Sequence, residues 1–590
     1  MGLATGVLDQ PIRAALDAAR AYSPRKLRRD LVAGLTVAIV AVPQSMAYAL
    51  IADVPPVYGL YTAMIQGALA ACFTSSSHLS SGPINTLSLL VASAVARVVP
   101  DPAQRISAVF AMTFLVGLIQ IACAATRFSG FVHYVSHSVI VGFTAGAGVL
   151  IAAGQIPAFL GIATEKTRNL PGLLGIIERM TPHLGDVNWR AVGIGVGSLA
   201  VVLVARAIWR FLPGPLLAAG GAGLLVWAMN WTAADVPQIG QLPAGLPSFA
   251  WPPLSWTTGE ALFGGAMALA LVGVLEAYSI ARSIAEHTEQ RINPNREFLA
   301  QGASNLLSSF FQCIPGSGSF SRSALNYQAG AQTRMAGVYC SLFVAAMFLL
   351  FAGPARHIPH ASLAAILFVI AYGLVDWRYI RRVLPASRSD AAVCATTFLA
   401  TLLIPLEFAI VVGVFLNLGL YLRKASRLHL VEMVESGKGR FLEVPLHDRS
   451  GQKQVIFLQI EGELFFGVAD ELAERLGALA QSNARVVIFR LRRTHSIDST
   501  VLQVMQRFVR QIQSRGGHVI LCGLKTELLQ PLRAFGLVDL IGADNVFAQR
   551  EGVFGAARAA LERARRLVGS SIDTVPVEDE LDEEPAMYEI

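Results

Sequence analysis

Residues 315–331 read PGSGSFSRSALNYQAGA, and apolar runs flank them on both sides. Glycine, serine and proline dominate the stretch, and Arg322 stands inside it. An arginine at the centre of a spanning helix costs roughly 2.5–3.5 kcal/mol on insertion scales. Its forked N–H donors match planar or tetrahedral oxyanions, and Ser319 and Ser321 add hydroxyl donors beside it. Gly316 and Gly318 permit close backbone approach. A bound anion would offset the cost of Arg322. Pairing with a protein carboxylate, or snorkelling to an interface, would offset it too.

Two further polar features lie within apolar runs. GGAMALALVGVLEAYSIARSI contains one acid, Glu276, and no basic residue nearer than Arg282. A lone carboxylate at membrane depth takes up a proton, coordinates a cation or pairs with an arginine such as Arg322. It is the candidate for ion coupling. In AIVAVPQSMAYALIADVPP the run breaks at Pro43, and Gln44 and Tyr48 follow four residues apart on one helix face. That polar stripe either lines a site or cross-links helices.

A second segment matches the first. SSGPINTLSLLVASA, from Ser80, is likewise short and punctuated by Gly and Pro. It opens the third apolar run of a first set of seven, as PGSGSFSRSALNYQAG opens the third of a second set. Paired short, interrupted segments in two halves point to an inverted repeat with a binding site between them. If each is a half-helix starting near the midplane, its first-turn N–H groups lack intrahelical partners and its end carries about +0.5 charge. Two such ends facing one another make an anion site without a metal or cofactor.

The elements that must carry these residues follow from composition. The chain has 590 residues, 54% hydrophobic and 15% charged, against the ~25% charge of a soluble chain. Fourteen apolar runs fall between residues 30 and 422, several too short for a full crossing. An even number places both ends on one side, and the basic flanks RKLRRD and RKASR make that side cytoplasmic. The reading is a multi-pass protein of an inner or plasma membrane. The net charge of +7 lies mostly in short loops and forms no stripe with aromatics, which excludes nucleic acid as a partner. The six cysteines show no CxxC pair and read as packing residues. No Ser–His–Asp arrangement or phosphate loop follows from spacing, so no enzyme activity is expected. His133, His137 and His287 lack metal-ligand companions, and Glu407, after Pro405, is placed to cap a helix.

The domain reading is a cytoplasmic segment 1–29, a transport region 30–422, a polar basic linker 423–452, an α/β domain 453–565 and an acidic disordered tail 566–590. In the α/β part, QVIFLQIEGELFFG reads as two short strands, followed by alternating helices and strands.

Together DLVAGLTVAIVAVPQSMAYA, PPVYGLYTA, LSSGP and PGSGSFSRSALNYQAGAQT resemble the signature segments of the sulfate permease family, the bacterial relatives of solute carrier family 26. The resemblance spans about Asp30 to Leu561. TSSSH departs from the family's Gly-Ser-Ser-Arg pattern, with His78 where a basic residue is usual. The resemblance implies seven-plus-seven inverted repeats, with spans 1–4 and 8–11 as a core and 5–7 and 12–14 as a gate. It implies an anion held between the third and tenth helices. Carried over by motif, Gln44, Tyr48, Asn85, Thr86, Ser319, Phe320, Ser321 and Arg322 are substrate positions, and Glu276 is the coupling position. The soluble part resembles a STAS domain, regulatory or supporting a homodimer. In SIDSTVLQ, Val501 stands where the phosphorylated relatives have glycine, so Ser499 and Thr500 are not assigned as phosphorylation sites.

The resulting expectation is secondary active transport of a small inorganic or carboxylate anion, of the sulfate, bicarbonate or dicarboxylate class. Proton coupling through Glu276 leads. Sodium coupling, exchange and an uncoupled channel stay open. A nucleobase permease of the same architecture would want an acid where Arg322 stands. A non-transporting anion sensor would not need both half-helices.

Overall fold

The computed structural model describes residues 22–99, 101–126, 136–162, 172–208, 212–241, 245–436, 440–445, 454–549 and 554–569. Most of the segment before Pro24, His133 and the part of the expected 566–590 tail beyond residue 569 lie outside them; residues 566–568 of that tail are not disordered but end the helix Gly555–Val568. The chain divides into two compact units at Asn417/Leu418.

The apolar runs of the first unit become helices. They are α1 Pro24–Ile51, α2 Pro56–Phe73, α3 Asn85–Val98, α4 Pro102–Ala125, α5 His137–Leu160, the short α6 Gly172–Met180, α7 Trp189–Ile208, α8 Gly214–Ala228, α9 Trp256–Thr288, α10 Pro294–Ser309, α11 Phe320–Gln328, α12 Met335–Ala355, α13 His360–Leu374, α14 Trp377–Ala386, α15 Arg388–Leu403 and α16 Leu406–Ala425. Eight helical stretches among the described residues are long and apolar enough to cross a membrane. Helix starts carry the expected chemistry. The Ser255 and Asn293 side chains accept from the N–H groups of Thr258 and Arg296, which caps α9 and α10. Pro294 opens α10, where its missing N–H costs nothing.

Packing sorts these helices into two groups. One joins α1–α4 with α9–α12, and the strongest pairings are α4 with α10 and α1 with α12. Gly117 and Gly302 let the α4 and α10 backbones approach closely, since a Cβ on Gly117 would stand 2.4 Å from the Leu306 nitrogen. The other group joins α5, α7 and α8 with α13 and α15. The grouping follows the core and gate that the family resemblance implies.

The second unit is an α/β sheet. After two short strands in the first unit, β1 Ser81–Gly82 and β2 Ser317–Gly318, its strands are β3 His429–Ser436, β4 Arg440–Pro445, β5 Val455–Leu464, β6 Val486–Arg490, β7 Thr494–Ile497, β8 His518–Leu524 and β9 Val546–Ala548. The order is β4-β3-β5-β6-β8-β9, with β7 added to β5. The strands β5, β6, β8 and β9 run parallel. Helix α17 Phe466–Ala480 and helix α18 Ser499–Gln513 bury Leu472, Leu476, Met505 and Phe508 against one face. The C-terminal helix α21 Gly555–Val568 covers the other, over Ile488, Ile520 and Cys522; two short helices, α19 Thr526–Ala534 and α20 Leu537–Ile541, precede it. Burial pushes the Cys522 thiol up to about 12, which agrees with a packing role.

Two expectations are corrected here. Residues 423–452 are not only a linker: HLVEMVES and RFLEVP form the antiparallel pair β3/β4 at the sheet edge. QVIFLQIEGELFFG gives one strand, β5, not two, because Gly462 takes a positive φ and is absorbed as an irregularity in the pairing with β7.

Candidate functional site

The two punctuated segments meet. Ser81–Gly82 (β1) pairs antiparallel with Ser317–Gly318 (β2), Ser81 opposite Gly318 and Gly82 opposite Ser317. Beyond the crossing the chain enters α3 at Asn85 and α11 at Phe320, so two helix N-termini are fixed at one place. The Ser80 N–H donates to the Ser323 hydroxyl at 2.8 Å, and the Ser319 N–H donates to the Ser80 carbonyl at 2.9 Å. Intrahelical bonding begins only at the N–H groups of Ser88 and Ser323. The donors of Asn85, Thr86, Leu87, Phe320, Ser321 and Arg322 are therefore the unused first-turn groups of two helices. Their ends supply partial positive charge.

Crowding at the crossing explains its glycines. A Cβ on Gly316 would stand 2.3 Å from the Gln66 side-chain oxygen and 2.6 Å from the Gly82 carbonyl. Gly82 takes φ +152°, and its missing side chain leaves room for the Arg322 guanidinium, whose nitrogens stand 3.0 and 3.1 Å from where a Cβ would be.

Arg322 is 1% exposed. Its Nη2 donates to the Pro83 carbonyl at 2.8 Å, just before α3, while its Nε has no partner. Neither pairing with a carboxylate nor snorkelling describes it. The side chain is a brace from one arm to the other. Glu276, half-buried on α9, accepts from the Thr86 hydroxyl at 2.8 Å, so the lone acid is tied to the first turn of α3. Tyr48 (3% exposed) lies within electrostatic reach of both Arg322 and Glu276. Gln44 is buried with its side-chain oxygen unpartnered. Asn85, Thr86 and Ser319 are buried, whereas Phe320 and Ser321 are exposed. The Ser319 and Ser321 hydroxyls stand 3.4 Å apart. The structure thus gathers residues from α1, α3, α9 and α11, and no group of three or more metal-ligating side chains occurs among the described residues.

A polar scaffold that sequence reasoning missed holds the crossing from behind. The Asn305 amide accepts from the Gly316 N–H at 2.9 Å and donates to the Gly316 carbonyl at 3.0 Å. The Gln301 amide donates to the Ser81 hydroxyl, and the Ile314 N–H donates to the Thr62 hydroxyl. The Ser317 hydroxyl donates to the Gly273 carbonyl. Two buried carboxylates fix the flanking turns. Glu297 accepts from the Thr74 hydroxyl and the Ser75 N–H before β1. Asp30 accepts from the N–H groups of Gln332 and Thr333 after α11. The i,i+4 recurrence of Gln301 and Asn305 in QGASNLLSS was a usable signal.

Glu407 does more than begin a helix. It is 3% exposed, pairs with Arg97 at 2.6 Å, and joins the last turn of α3 to the first turn of α16. The Arg97 guanidinium also lies over the Phe408 ring at 5.3 Å.

Comparison with known proteins identifies the family and the fold. The sulfate permease family profile matches residues 27–397, and the STAS domain profile matches 448–552. The putative sulfate transporter YvdB of Bacillus subtilis is 28% identical over 540 residues, covering 91% of this chain and 99% of that protein. Sulfate transporter 4.1 of Arabidopsis thaliana is 25% identical, covering 88% and 78%. The murine SLC26A9 anion transporter superposes with a TM-score of 0.84 at 19% identity, covering 93% of each chain. The transmembrane domain of a cyanobacterial bicarbonate transporter, BicA, gives 0.59 at 24% identity, covering 68% of this chain and 99% of that one.

Proposed function

The chain belongs to the sulfate permease family, and on that premise we propose that it is a proton-coupled secondary transporter of a small oxyanion. The anion is held between the N-termini of α3 and α11. The supporting observation is the crossing itself: two sets of unused first-turn donors meet, and one buried arginine braces both. Helix ends and oriented N–H groups bind anions without a metal. Arg322 contributes its charge from behind the arms, while the exposed Ser321 offers a donor at the surface an arriving anion meets.

Coupling runs through Glu276. Its carboxylate and the anion share the first turn of α3 through Thr86. A proton on Glu276 removes a negative charge beside the anion, so the two load together. Movement of the group containing α1–α4 and α9–α12 against the other would carry the loaded site across the membrane, an elevator-type step. The STAS unit supports regulation or dimer formation, and both chain ends lie on the cytoplasmic side.

Proteoliposomes offered labelled sulfate, bicarbonate and a dicarboxylate, under a pH or a sodium gradient, test this reading. At least one anion accumulates against its gradient when the outside is acidic. Glu276→Gln loses that pH dependence, with gradient-driven accumulation reduced about tenfold or more. Accumulation that follows sodium alone, or a Glu276→Gln protein with an unchanged pH profile, overturns proton coupling.

A further inference from the structure

A groove away from the anion site has no role in this account. Helices α1, α8 and α12 enclose a cavity of about 1080 Å³, lined by Ile39, Pro43 and Met46 of α1, Gly220 and Trp227 of α8, and Phe351 of α12. Its walls are apolar until the end of α12, where Arg356 and His357 stand. Trp227 is 60% and Phe351 57% exposed. Arg356 is exposed as well, and its Nε donates to the His357 Nε2 at 3.1 Å. Among the described residues no carboxylate pairs with it. His357 Nδ1 is buried and unpartnered.

We propose that this groove is a binding site for one anionic phospholipid, with acyl chains between α1, α8 and α12 and the headgroup phosphate on Arg356. The chemistry is complementary at both ends. A long apolar trough in a bilayer takes acyl chains. A cation and a tryptophan at its mouth sit where headgroups lie, since tryptophan concentrates at the membrane interface. Arginine is the side chain best matched to a phosphate, through paired N–H donors.

The location gives the lipid a route to function. Pro43 cannot donate to the Ile39 carbonyl, so the groove-lining turn of α1 lacks one backbone hydrogen bond. That same turn carries Gln44 and leads to Tyr48, which belong to the candidate anion site. An occupant packed on Ile39, Pro43 and Met46 therefore stiffens the turn that presents Gln44. It also sits between the two helix groups, since α1 and α12 belong to one and α8 to the other.

The site is tested by lipid retention, which does not depend on transport. The full-length protein, extracted in mild detergent from bilayers of mixed phosphatidylglycerol and phosphatidylcholine, is weighed intact by mass spectrometry. Phosphatidylglycerol remains bound in preference to phosphatidylcholine. Arg356→Gln lowers that preference about tenfold. Gly220→Leu, at a position with nothing within 4 Å of its would-be Cβ, fills the groove and lowers retention of both lipids. Equal retention of the two lipids by the unaltered protein, or an unchanged preference in Arg356→Gln, overturns the proposal. So does protection of the delipidated protein against thermal unfolding by inorganic phosphate, if Arg356→Gln abolishes it, because the site would then take free phosphate.

Discussion

Helices α3 and α11 enter the crossing in the same way and differ in where each keeps its positive charge. Each follows a two-residue strand, and each leaves its first-turn donors unused. The cation of α3, Arg97, stands in the last turn, where the helix dipole favours it, and Glu407 neutralises it. The cation of α11, Arg322, stands in the first turn, against the dipole, with a backbone carbonyl for a partner. The first arrangement is what stability alone would select. The second stores unfavourable electrostatics at the point where an anion would relieve it. One guanidinium serves both arms because Gly82 leaves room for it.

The comparison can be broken at the crossing itself. Gly316→Val places a side chain against Gln66 and the Gly82 carbonyl, and backbone cannot yield as a flexible side chain does. Overpacking of this kind costs roughly 1–3 kcal/mol or more. The expected result is a lower thermal midpoint and loss of uptake, checked by a melt of the purified protein. Unchanged stability would show that the arms are not held as tightly as the contacts imply.

A smaller effect sharpens the contrast at the other end of α3. Glu407→Gln leaves Arg97, 44% exposed, without its counter-charge, and water around the exposed arginine limits what the pair contributes to about 1 kcal/mol. Stability should fall by no more than that, and anion affinity should be unchanged, because Arg97 lies at the far end of the helix from the site. Titration of anion protection against unfolding measures both. A marked loss of affinity would mean that the two cations do not have separate roles.

Much of this was readable beforehand because membrane sequence is severe about polarity. A glycine- and serine-rich stretch with an arginine stands out between apolar runs, and so does one glutamate in an apolar helix. Gln44, Tyr48, Glu276, Ser319, Ser321 and Arg322 stand out in that way, whereas Asn85, Thr86 and Phe320 follow only from the family resemblance. What Arg322 touches was not readable, since the Pro83 carbonyl lies 239 positions away and a backbone acceptor leaves no mark in side-chain pattern. The scaffold of Gln301 and Asn305 leaves only its i,i+4 spacing as a mark, because neutral amides are mild interruptions in an apolar run. The β3/β4 pair was not readable because Glu432, Glu435, Arg440 and Glu443 interrupt its short apolar runs, and a polar, basic composition reads as a linker.

The measurement closest to the central claim is anion uptake by Arg322→Gln in proteoliposomes, alongside a melt to show that the protein is folded. If Arg322 supplies the charge shared by both helix ends, uptake of the transported anion falls about a hundredfold, the equivalent of roughly 2.7 kcal/mol, within the range of a hydrogen bond to a charged group. Uptake at the unaltered rate by a folded Arg322→Gln protein would contradict the account, and would leave Arg322 as a brace alone.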